Sequence, residues 1–207
     1  MKTTRTATKR SPGRPKNDTD QPSLRDKILN TASGLFMELG YEPVSINMIA
    51  ANAGVTKASV YYYFTNKAVL FTTSVTEMMT RICFYTNRII GAHSDIKTRL
   101  EQIALTKMSR SHVEFESLMR EALPFLTVEQ QEDIRKAEHS IHELLAGTFR
   151  QAMDEGHIAE ANPMLLSHAF SALLMIGNRE LVGDESYSAQ ELSTAIVSIF
   201  WNGIARR

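Results

Sequence analysis

Three residues, Gly54-Val55-Thr56, constrain this chain more than any other stretch. Before them Ser45 opens a run in which Ile46, Ile49, Ala50 and Ala53 fall at helical spacing. After them a second run extends from Thr56 to about Tyr63. Gly54 stops the first helix, and Thr56 caps the next by offering its hydroxyl to the free amides of the first turn. Two such short helices are unstable alone, so they must share a core with something else. The connection between them is as tight as in a helix-turn-helix, which narrows the front of the chain to a small all-helical module.

The missing partner lies just upstream. Ser23 is a good N-cap with Asp26 three residues on, and Leu24, Ile28, Ala32, Leu35, Phe36 and Leu39 follow at helical spacing until Gly40 and Pro43. Leu35, Phe36, Ile46, Ile49, Val55, Val60 and Phe64 are the expected core of the module. Thr65-Asn66-Lys67 starts a fourth helix, whose apolar positions Leu70, Phe71, Val75, Met78, Met79, Ile82, Cys83 and Ile89 run on to Gly91. No Pro, Gly or Ser linker separates the module from this helix, so the joint is stiff. Further helices are expected at 95–110, 114–126, 128–155, 163–182 and 188–204, with Pro124 ending or kinking the second of these. Alternation with period two is absent and no internal repeat occurs. The expected fold is therefore all-α: an N-terminal three-helix helix-turn-helix module joined to a helical bundle. Its expected organisation is residues 1–22 as a disordered basic arm, 23–70 as the helix-turn-helix module and 71–207 as the bundle.

Charge is divided along the chain. Residues 1–70 hold 10 Lys/Arg against 5 Asp/Glu, and residues 71–207 hold 13 against 18, so a net charge of zero hides a basic front and an acidic back. A basic front half suits a polyanionic partner, although an imbalance of this size also arises by chance. The arm MKTTRTATKRSPGRPKNDTDQP is polar, with six basic residues. Around Gly13-Arg14-Pro15 it suits minor-groove reading, loose phosphate attraction or a passive solvated tail. The single cysteine, Cys83, excludes an internal disulfide and suggests a reducing, cytosolic setting. Its apolar neighbours suggest a buried, inert thiol. No apolar run reaches the roughly 20 residues needed to span a bilayer, and no apolar segment follows the basic N-terminus as in a secretory signal. The expected location is cytoplasmic, with no membrane partner.

The row Val60-Tyr61-Tyr62-Tyr63-Phe64 cannot all be buried on one helix face. Val60 and Phe64 are expected to face inward, with Tyr63 mostly buried. Tyr61 and Tyr62 then face outward with Lys57, Ala58 and Ser59. A cation and hydroxyls at a helix start suit phosphate oxygens, small residues allow close approach, and phenol rings can pack on thymine methyls and sugars. An aromatic helix docked on another helix is the alternative.

From Ser45 to Phe71 the sequence SINMIAANAGVTKASVYYYFTNKAVLF resembles the DNA-binding module of the TetR family of transcriptional regulators. The shared positions are Ile49, Ala50, Ala53, Gly54, Val55, Thr56, Lys57, Val60, Tyr61, Tyr63, Phe64 and Lys67. Ser59, Ala58 and Asn47 stand where the family often has Thr, Gly and Arg. The resemblance implies that Thr56, Lys57, Tyr61 and Lys67, with Ser45, touch phosphates. It also implies that Tyr62, Ser59, Ala58 and Asn47 lie nearest the bases of double-stranded DNA.

A symmetric site read by two such helices about 34 Å apart requires a homodimer. The expected dimer surface comprises Leu165, Ala169, Ala172, Leu173 and Ile176 on one helix and Leu192, Ile196, Ile199 and Phe200 on the next; ordinary core helices are the alternative. The middle helices are rich in Met and Phe. Met108, Phe115, Met119, His142, Leu145 and Phe149 are the expected lining of a small-molecule pocket, with Leu118, Phe125, Ile141 and Met153 as further apolar candidates or plain core. His139 and His142 share one helix face, and with His112 or Glu116 could hold a metal, but the spacing is weak evidence and no metal or cofactor is expected. No nucleophile, nucleotide-loop or dinucleotide motif occurs, so an enzyme is not expected. The expected function is a ligand-responsive repressor on a palindromic operator. A DNA-binding protein without a ligand is the first alternative and a helical metal-dependent enzyme the second.

Overall fold

The computed structural model describes residues 23–108, 115–180 and 188–205, of 176–180 the backbone only. Among them lie nine α-helices: α1 (Leu24–Leu39), α2 (Ile46–Ala53), α3 (Lys57–Tyr63), α4 (Lys67–Ala92), α5 (Ile96–Met108), α6 (Phe115–Ala122), α7 (Val128–Asp154), α8 (Pro163–Glu180) and α9 (Ala189–Ile204). A 3-10 turn, Leu123–Phe125, follows α6 and holds Pro124, so the proline ends that helix as expected. The described residues contain no strand, only an isolated bridge between Ile158 and Ala205.

The boundaries follow from local chemistry. Ser23 and Asp26 form a reciprocal capping box at α1, as do Thr127 and Gln130 at α7 and Ser188 and Glu191 at α9. Ser45, Thr56 and Asn66 accept from the amides of Met48, Ser59 and Val69 at the starts of α2, α3 and α4. Gly54 ends α2 at φ 63°, ψ 39°, the left-handed conformation that lets its amide reach back to Ala50 and Ala51.

Two apolar clusters hold the chain together. The first joins α1, α2, α3 and the first half of α4 to Leu118, Met119 and Ala122 of α6, Leu126 after the 3-10 turn, and Ile134 of α7. Phe36 and Phe71 meet edge to face at 4.9 Å inside it, and Tyr41 meets Phe71 at 5.0 Å. Apolar packing therefore does not divide at residue 70: the helix-turn-helix module shares its core with α6 and the start of α7. The second cluster joins α5, the second half of α7, α8 and α9 around Phe149, Phe170 and Phe200. Arg25 of α1 adds a 2.8 Å ion pair with Glu77 of α4.

Some expected faces are corrected. Leu24 and Leu39 are exposed at the ends of α1, while Leu29 and Met37 are buried instead. The residues around Cys83 are not core either, since Ile82, Phe84 and Tyr85 are exposed and Cys83 itself is half-buried. This stretch of α4 lies between the first cluster and the second, which α4 rejoins through Ile89 and Ile90. The basic arm 1–22 and His112 lie outside the described residues.

Candidate nucleic-acid interface

The Gly54 turn sets α3 against α2 so that the aromatic row splits by face. Val60 and Phe64 are buried, whereas Tyr62 is 82% exposed and Tyr61 stands out beside it. Tyr63 corrects the expectation of burial: it is 38% exposed, its ring edge-on to Tyr62 at 5.0 Å. One turn past Val60, it reaches the rim of the small module rather than its centre. Thr56 Oγ1 accepts from the Ser59 amide at 3.0 Å and lies 2.8 Å from the Ser59 hydroxyl, which fixes both hydroxyls at the start of α3. Lys57 is exposed, its Nζ 5.8 Å from the Tyr61 ring centre. Ala58 is exposed and Ser59 half-buried on the same helix. On α2, Ser45 and Asn47 are exposed, and Ser45 Oγ accepts from the Met48 amide at 3.1 Å. The structure thus presents eight of the nine expected DNA-facing residues on α2, α3 and their caps.

Lys67 differs. Its Nζ lies 4.2 Å from the centre of the Tyr41 ring and donates to the Glu42 carbonyl at 3.1 Å. Burial pushes its ammonium below the usual lysine range, against the opposing pull of Glu42. Lys67 here ties the start of α4 to the α1–α2 turn rather than standing free. Tyr41 was not singled out from the sequence; nothing local marks a lone tyrosine after Gly40 as a ring gripped from α1, α4 and the 3-10 turn.

The expected pocket lining does not converge. Phe115 and Met119 pack in the first cluster, while Met108, Leu145 and Phe149 are buried in the second. Similar apolar content on neighbouring helices cannot reveal which core each joins. Open polar clefts flank α7. One, of about 490 Å³, runs between α4 and α7 and includes Thr72, Thr76, Asp133 and Ser140. The other, of about 600 Å³, includes Glu116, Arg135, Glu138, His139, His142 and His168. Arg135 bridges Glu116 and Glu138 at 2.8 Å across its floor.

His142 stands in this second cleft, its ring 4.1 Å from that of His168 and its Nδ1 3.1 Å from Ser167 Oγ. Burial, then the neighbouring His168, Lys107 and His139, push the His142 imidazole down to about 4. Among the described residues His142 meets His168 on α8, a pairing that no sequence spacing marks because it joins separate helices. No group of three or more His, Cys, Asp or Glu among the described residues is placed to hold a metal ion.

The expected dimer surface is partly corrected. Ile196 and Phe200 are buried in their own chain's second cluster. Leu165 (65% exposed), Ala172 and Ile199 (67% exposed) form the outward apolar positions, with Ala169, Leu173 and Leu192 half-buried beside them. The side chain of Ile176 lies outside the described residues. No described helix is long and apolar enough to cross a membrane.

Residues 28–73 match a family model described as bacterial regulatory proteins, tetR family. The chain is 38% identical over 68 residues to the biofilm operon icaADBC HTH-type negative transcriptional regulator IcaR of Staphylococcus aureus, a match covering 32% of this chain and 34% of that protein. The match thus spans about a third of that relative's length. The uncharacterized HTH-type transcriptional regulator YhgD of Bacillus subtilis is 26% identical over 142 residues, 67% of this chain and 73% of that one. The fold is similar to that of the transcriptional regulator FadR from Bacillus subtilis in complex with stearoyl-CoA, with a TM-score of 0.67 and 19% identity over 86% of this chain and 98% of that one.

Proposed function

We propose that this chain is a member of the TetR family of bacterial regulatory proteins, a repressor that binds a palindromic operator as a homodimer and is released by a small apolar or amphipathic molecule. The observation that carries the DNA reading is the split of the aromatic row. Tyr62, Tyr61 and Lys57 stand outward on α3 while Val60 and Phe64 anchor it. A helix so mounted can enter a major groove with Ala58, Ser59 and Tyr62 at base edges, while Thr56, Lys57 and Ser45 meet phosphates. The outward Leu165, Ala172 and Ile199 support a dimer through α8 and α9. In that arrangement residues 23–70 read DNA and the remainder senses and dimerises.

For the effector, the supporting feature is the cleft at His142 and His168, on the same face of α7 as the buried Leu145 and Phe149. A polar headgroup would sit among the cleft side chains, and an apolar tail would enter only by parting α7 from its neighbours. The FadR likeness adds a protein of this fold that holds an amphipathic acyl-CoA. The ligand acts through its differential affinity for two states, a coupling of about 1–3 kcal/mol in typical cases.

The test is selection of bound duplexes from a random DNA pool at about 150 mM salt, where weak non-specific phosphate binding is suppressed. Enrichment of an inverted repeat is expected. A folded dimer that enriches no sequence would remove base reading from the function.

A further inference from the structure

The Gly40–Tyr41 turn is gripped by an element far away in sequence. Gly40 sits at φ 87°, ψ 177°, a conformation essentially confined to glycine. A Cβ there would lie 2.7 Å from Glu121 Oε2 of α6, so only glycine lets that carboxylate approach. The same oxygen accepts the Tyr41 amide at 2.9 Å, 80 residues away in the chain. This is a charge-assisted hydrogen bond to an otherwise buried residue. From the 3-10 turn after α6, the Phe125 ring stacks on Tyr41 at 5.3 Å. The same turn is also held from α4, through Lys67 on the Tyr41 ring and the Glu42 carbonyl. Just beyond it, Pro43 restricts the backbone, Val44 is buried and Ser45 caps α2. Little slack separates the gripped turn from the start of the helix-turn-helix.

We infer that Glu121 is a positioning residue for DNA binding: from α6 it fixes the turn that launches α2, so α6 is a second joint, besides α4, between the bundle and the reading helices. The inference rests on the DNA-binding reading above. A shift of α6 along its axis would pull on the Tyr41 amide and change the pose of Ser45 and α2, with no movement of α4 required. Glu121 itself need touch no DNA.

The experiment compares Glu121→Ala and Glu121→Gln with the unaltered full-length protein. It measures affinity for the selected operator and for random duplexes, salt dependence, and hydrogen exchange at the Tyr41 amide. The alanine variant should lower the ratio of operator to random-duplex affinity by about tenfold, near the value of one charge-assisted hydrogen bond. Its salt slope and random-duplex affinity should stay unchanged, and its Tyr41 amide should exchange faster. Glutamine, whose carbonyl can still accept, should restore most of the ratio. A purely structural role would instead weaken all duplexes alike. That result, an unchanged ratio, or equal losses in folded Ala and Gln variants would overturn the inference. If the unaltered protein enriches no operator, the DNA reading fails by itself. Tyr41 exchange then still judges the tether, which is refuted if Glu121→Ala leaves that rate unchanged.

Discussion

Lys57 and Lys67 have the same charge and similar positions, one at the start of α3 and one at the start of α4, yet the structure gives them different fates. Lys57 is exposed at the first turn of α3, whereas Lys67 is committed to the Tyr41 ring at 4.2 Å and the Glu42 carbonyl at 3.1 Å. Each phosphate neutralised on duplex DNA contributes about 0.9 to the slope of log affinity against log salt. A dimer carries two copies of Lys57, so Lys57→Ala should flatten that slope by about 1.8. Lys67→Ala should leave the slope nearly unchanged and act on the fold instead. Losing a cation–π contact and one hydrogen bond from an ammonium removes about 1–2 kcal/mol. For a chain of this size that lowers Tm by about 2–8 °C. Fluorescence anisotropy from 50 to 300 mM salt, beside a melting curve for each variant, reads both quantities. If Lys67→Ala flattened the slope as much as Lys57→Ala and left Tm unchanged, Lys67 would be a phosphate contact in the complex. The assignment from the free structure would then be wrong.

Tyr62→Ala should relax base preference by about 1–3 kcal/mol at the positions it meets, seen as a flatter selected motif; equal weakening on every duplex would make it a phosphate or packing residue. Leu165→Asp with Ile199→Asp should shift the protein to monomer in sedimentation at micromolar concentration without loss of helicity, because both side chains point away from their own core. An intact dimer would move the interface elsewhere. The His142 imidazole, with its folded pKa near 4 against about 6.5 unfolded, favours the native state most above pH 6.5. That contribution is lost as pH falls towards 4, so Tm should drop more between pH 6.5 and 4.5 than in His142→Gln, and parallel curves would refute the shift. A Gly-Gly insertion near Ser74, inside the linker-free α4, should abolish ligand-driven DNA release. Release that survived would leave α6 as the main route.

Element boundaries were legible in the sequence because their causes are local. A capping hydroxyl, a left-handed Gly54 or a Pro124 acts within a few residues of itself: hydroxyl caps start α1, α2, α3, α7 and α9, Gly54 ends α2 and Pro124 follows the end of α6. The outward Tyr62 and inward Val60 were legible too, since α3 has few apolar residues and one face to bury. On α9 the same logic fails: Ile196, Val197, Ile199, Phe200 and Trp201 surround the helix, and periodicity cannot say which of them meet the core. Only packing against α5 and α8 turned Ile196 and Phe200 inward and left Ile199 out. The Met and Phe residues of α5 to α7 were divided between two clusters for the same reason. The grip of Glu121 on Tyr41, the capture of Lys67 and the pairing of His142 with His168 join residues from separate elements. The sequence by itself determined where most of the described helices lie and that a helix-turn-helix module precedes the bundle. Tertiary structure decided which faces meet, because contacts between distant segments depend on how the whole chain packs.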